Sequence, residues 1–144
     1  MPTAKNQMFL WKYKTPSRGY RGYHITGTAD GLDSVLSKLS AEQHPLKKSI
    51  VVNTELSPVT ENELTVPGFA GRARAFLRLN VRVALNDSSN RFRIAEAGEC
   101  CEITLSGVRL PEFINGLEDI KRGKGDYAMS GDTSDLWFWW HLDD

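Results

Sequence analysis

The chain has 144 residues, 40% of them hydrophobic, with 18 Lys+Arg against 18 Asp+Glu. A chain of this length is one ordinary domain and buries about 68–70% of its unfolded surface without disulfide or metal staples. Its composition excludes a disordered chain, a binder of nucleic acid through bulk positive charge, and an acidic tail.

The zero balance conceals sectors. Residues 1–50 carry +5, 51–70 carry −3, 71–95 carry +5 and 96–144 carry −7. At the start, Lys5, Lys12 and Lys14 surround Phe9, Leu10 and Trp11, so no signal-type apolar run forms. Met8 to Lys14 predicts an aromatic-rich strand, and Tyr20 to Thr26 a second. Between them, Arg18-Gly19-Tyr20-Arg21-Gly22-Tyr23 has the basic and aromatic interleaving of some RNA-binding tails, but a single copy reads better as a loosened turn.

Leu32, Val35, Leu36 and Leu39 fall at helical spacing and predict one apolar stripe. Asp30 is the expected N-cap, and His44-Pro45 the stop. Ile50 to Asn53 predicts a short buried strand. From Glu55 to Gly71 the sequence reads as a long loop, in which Glu61 and Glu63 are expected to be solvated.

Ala73, Ala75, Leu77, Leu79, Val81, Val83 and Leu85 alternate with Arg72, Arg74, Phe76, Arg78, Asn80 and Arg82. That period of two predicts one long strand with an aliphatic face and an arginine face. Strands at Arg91 to Ala95 and Cys100 to Leu105 follow, and the three together predict a meander. Pro111, then the stripe Phe113, Ile114, Leu117 and Ile120, predicts a second helix ending at Gly123, with Gly116 marking a close approach. Tyr127 to Ser130 and Leu136 to Leu142 close the chain as strands. The fold expected over 1–144 is therefore a single α+β domain, a largely antiparallel sheet with two helices packed on one face.

The last strand holds Leu136-Trp137-Phe138-Trp139-Trp140-His141. Alternation sends Trp137, Trp139 and His141 to the face opposite Leu136, Phe138 and Trp140. One reading is a recognition face in which these rings meet Arg72, Arg74, Arg78, Arg82 and Arg93 of neighbouring strands, since Trp and Arg dominate binding hot spots. The other is a central strand covered on both sides, which reads as continuous apolar sequence.

No catalytic constellation emerges. Gly123-Lys124-Gly125-Asp126 follows a helix instead of preceding one, so it is a stop and not a phosphate loop. The chain has no G-x-S-x-G elbow and no Cys-x-x-Cys or H-E-x-x-H spacing. The adjacent Cys100 and Cys101 read as free thiols in a reducing cytoplasm. The longest wholly apolar run, Leu136 to Trp140, is five residues, against roughly 20 for a spanning helix. The arginine ladder could track phosphates, but a pI of about 6.8 disfavours nucleic acid.

R-G-Y-R-G-Y-H at 18–24, V-P-G at 66–68, and G-K-G-D-Y followed by L-W-F-W-W within 123–140 resemble small bacterial proteins of unassigned role. The resemblance implies a stand-alone bacterial protein and carries over no functional residues. The expectation is thus a non-enzymatic cytoplasmic interaction domain, of inhibitor or immunity type, that binds another protein and needs no cofactor, metal or membrane. The alternative is a small-molecule binder or enzyme with an Arg/Trp/His-lined pocket joining Arg78, Trp139 and His141 under a 55–71 lid.

Overall fold

In a computed structural model, the residues described are 7–13, 22–43, 48–60, 63–64, 66–67, 73–132 and 134–141. The strands are β1 (Met8–Tyr13), β2 (Tyr23–Gly27), β3 (Ser49–Glu55), β4 (Ala73–Ala75), β5 (Arg78–Ala84), β6 (Phe92–Ala97), β7 (Cys100–Ser106), β8 (Asp126–Ser130) and β9 (Asp135–Trp139). Helix α1 (Ala29–Glu42) follows β2, and α2 (Leu110–Lys121) follows β7. The fold is α+β, with mostly antiparallel pairing. Its strands divide between two sheets, ordered β4-β1-β2-β9-β8 (sheet A) and β3-β5-β7-β6 (sheet B).

Leaving aside β4, the two sheets share one topology. In each, the outer pairs are antiparallel and the central pair, β2–β9 or β5–β7, is parallel. All of sheet B lies in sequence between α1 and α2, so it is inserted within the long crossover from β2 to β9. A parallel pair needs such a crossover, because a tight turn can join only antiparallel neighbours.

Two expectations change at the strand level. The long strand over 73–85 breaks at Phe76 and Leu77. Phe76 N–H donates to Leu10 O of sheet A (2.9 Å), while Leu77 N–H donates to Glu99 O beside sheet B (2.8 Å). The chain changes sheets there, and Phe76 is fully buried between them. The meander is also replaced: β6 and β7 form a hairpin, but β5 pairs with β7 and not with β6. The connection over 85–91 spans two strand spacings, about 9.6 Å, which leaves β7 between β5 and β6.

One apolar core gathers the inner faces of both sheets and the stripes Leu32/Val35/Leu39 of α1 and Leu110/Phe113/Leu117/Ile120 of α2. The N-cap of α1 is Thr28, not Asp30. Thr28 is extended, and its Oγ1 accepts from Gly31 N–H at 3.1 Å, whereas Asp30 already lies in the first turn. At the other helix, Gly123 follows the C-cap with φ +83°, a left-handed stop as expected. Among the described residues, no helix is long and apolar enough to cross a membrane.

Candidate binding face

The two sheets differ in what covers them, and the difference follows their sequences. On sheet A the outer side chains Phe9, Trp11, Tyr13 and Trp139 form a second apolar cluster, against which Val59, Leu64, Val66 and Trp137 pack. Val59, Leu64 and Val66 therefore lie on this face. Tyr13 Oη donates to Leu64 O at 2.7 Å, and Ser57 N–H to Met8 O at 2.8 Å. Sheet A is covered on both sides, so β9 reads as an unbroken apolar run.

This covering decides the fate of the aromatic candidates. Trp139 is 4% exposed, and its Nε1–H donates to Nδ1 of the fully buried His24 at 2.9 Å. Trp137 is half-buried and stacks on Trp139, with centroids 5.6 Å apart. His141 stacks on Phe9 at 5.5 Å and sets Nε2 3.5 Å from Glu63 Oε2. Glu63 is buried, correcting the expectation of solvation. Its Oε1 accepts from Thr60 N–H at 2.7 Å and from the Thr60 hydroxyl at 2.8 Å, so the carboxylate is satisfied within its own turn. The covered reading of this strand thus prevails over the open one: Trp139 is interior, and Trp137 and His141 are half-buried. Only Trp140, just past β9, is substantially exposed at 36%.

Arg78, Arg82 and Arg93 do not join these rings, because β5 and β6 belong to the other sheet. Arg72 lies outside the described residues. Arg74, on β4, pairs with Glu96 of β6, donates to Gly98 O, and lies over the Phe76 ring at 5.2 Å. Lys12 and the Tyr23 hydroxyl also donate to Glu96, so three groups of sheet A close on one carboxylate of sheet B. Burial raises the Glu96 carboxyl, but the hydrogen bonds from Lys12 and Tyr23 and the charges of Lys12 and Arg74 outweigh it and hold it below the ordinary glutamate value. Burial first, and the same carboxylate second, push the Tyr23 phenol up. This cluster is an inter-sheet clasp with its polar atoms matched.

Arg78, Arg82 and Arg93 are different. They stand exposed on the outer face of sheet B, opposite the buried Leu79, Val81, Val83 and Ile94. Register lays out that face in rows. Arg93 lies beside Thr104, Arg82 and Val51; Ala95 beside Glu102, Asn80 and Asn53; Ala97 beside Cys100, Arg78 and Glu55. No described helix or strand packs over it. Lys12, Arg74, Arg91, Arg109, Lys121 and Arg122 each meet a carboxylate within 4.0 Å. Among the described residues, Arg78, Arg82 and Arg93 meet none, although Glu55 faces Arg78 in register. A groove of about 540 Å³ opens at this end, lined by Lys38, Asn53, Glu55, Arg78, Asn80 and Cys100. Lys38 had no sequence signal, since an exposed helical lysine looks like any solvated one.

Cys100 and Cys101 alternate across β7 as free thiols, and burial first, with the charge of Glu96 second, pushes the Cys101 thiol up to about 12. Among the described residues, no group of three or more His, Cys, Asp or Glu side chains converges as a metal site would. Comparison with protein-family models, with curated proteins and with solved structures gave no match.

Proposed function

We propose that the protein binds another protein through the open face of sheet B, with Arg78, Arg82 and Arg93 donating to acidic groups of the partner, in the manner of an inhibitor or immunity-type domain. One observation supports this reading. These arginines lie together on an uncovered β-surface and, among the described residues, meet no carboxylate within 4.0 Å, whereas six other cations of the chain do. A guanidinium presents a planar fork of donors suited to carboxylates, and a flat sheet holds three such forks at fixed spacing. The indoles first suggested as anchors support the fold instead.

The test is capture from the source cell by wild type and by the R78E/R82E/R93E variant, with circular dichroism to verify that both are folded. A specific partner retained by wild type in low salt, lost to the variant, and released as ionic strength rises supports the reading. Identical partner lists for the two proteins overturn it.

A further inference from the structure

We infer that the open edge of β3 takes an extended acidic segment of the partner as an added strand; this rests on the partner-binding reading above and names the chemistry of what is bound. The argument starts from main-chain accounting. Beyond the two ends of β3, Leu56 N–H donates to Leu77 O (2.9 Å) and Leu85 N–H to Lys48 O (2.8 Å). With the antiparallel register, these bonds assign the even-numbered Ile50, Val52 and Thr54 to hydrogen bonding with β5. Antiparallel ladders alternate, so the main-chain groups of Ser49, Val51, Asn53 and Glu55 point away from β5 to the open edge. All four residues are exposed. The carbonyl of Asn53 is held by Lys38 Nζ at 3.3 Å, and the other outward groups have no hydrogen-bond partner among the described residues.

The edge is flanked by space and charge on both sides. The 540 Å³ groove lies toward the sheet face and Arg78. A second hollow of about 180 Å³ lies toward α1, between Ser34, Val35 and Lys38. The two share Lys38, Thr54 and Glu55, so they adjoin at the end of β3. An added strand sends successive side chains to opposite faces. Two consecutive acidic residues would then be met by one cation each, Arg78 on the sheet face and Lys38 on the helix side. Lys38 would exchange its hold on the Asn53 carbonyl for the incoming carboxylate. Asn53, Asn80 and the Glu55 carboxylate line the groove between them, and Glu55 faces Arg78 in register, so the incoming carboxylate would take Arg78 in competition with Glu55.

The probe is an N-acetylated, C-amidated peptide, Val-Thr-Val-Asp-Glu-Val-Thr-Val, added to the full-length protein. Its controls carry Lys-Lys for Asp-Glu, or N-methyl groups on alternate amides. The expected result is slowed hydrogen exchange at the amides of Val51, Asn53 and Glu55. Affinity should fall about tenfold in each of K38A and R78A, and at least tenfold for each control peptide. Unchanged exchange at those amides overturns the inference, as does equal binding of either control, or stronger protection of the same amides by single-stranded oligothymidylate. The R82E/R93E variant separates the two proposals, because those residues lie off the edge. If it loses the cellular partner but binds the peptide, both stand. If wild type captures a partner through its arginines yet ignores the peptide, the added strand alone falls.

Discussion

Gly116 lies on the buried side of α2, where a Cβ would come within 2.4 Å of the Phe138 ring. Glycine costs a helix about 1 kcal/mol relative to alanine, so its presence in the sequence signalled a close neighbour. Phe138 is fully buried and has little room to yield. G116A is therefore expected to destabilise by about 1–2 kcal/mol net, the overpacking outweighing the gain in helix propensity, and chemical denaturation measures it. The paired cysteines give a second residue-scale expectation. With the Cys101 thiol raised to about 12 and fully buried, a thiol reagent at pH 8 should label native protein quickly only at Cys100. Rapid labelling of both under native conditions would contradict the burial.

At the scale of elements, β5 and β9 show how covering is written into a strand. Arg78 to Ala84 alternates because one side faces the core and the other faces solvent. Leu136 to Trp139 is apolar throughout because both sides are packed. Trp139 and Trp140 should consequently respond differently to truncation. W139A removes a buried indole and its bond to His24, and should cost about 3–5 kcal/mol. W140A, at a partly exposed site, should stay within about 1 kcal/mol. Comparable losses at the two positions would refute the covered-sheet account. A Trp139 variant is for the same reason a poor probe of partner binding, since it tests the fold first.

For the whole molecule, the sharpest joint is the clasp in which Lys12, Tyr23 and Arg74 of sheet A hold Glu96 of sheet B. Here an inserted sheet is tied to the sheet that encloses it. E96Q leaves the shape but removes the charge, and should cost about 1–2 kcal/mol, less in high salt because Lys12 and Arg74 are partly exposed. The pH dependence has a definite sign. Glu96 has a lowered value when folded, so its contribution is complete above the unfolded glutamate value of 4.5 and is lost as pH falls through the folded one. Wild type should lose stability on acidification more steeply than E96Q, and melting midpoints from pH 7 down to pH 3 compare the two. Parallel curves would mean that the clasp is not titrating.

The α+β class, the two helices with their apolar stripes, the stop at Gly123 and the exposure of Arg78, Arg82 and Arg93 were legible in the sequence. Each depends on a periodicity or a backbone preference that acts within one element. The partition into two sheets was not legible, because the residues around Phe76 and Leu77 keep strand alternation while their hydrogen bonds pass from Leu10 to Glu99. The unbroken apolar run of β9 did suggest a strand covered on both sides, but alternation separates faces without saying what covers them. Only tertiary structure decided that, by laying Val59, Leu64 and Val66 over sheet A and leaving the arginine face of sheet B open. Local chemistry set which side chains share a face, and long-range packing set which face meets water.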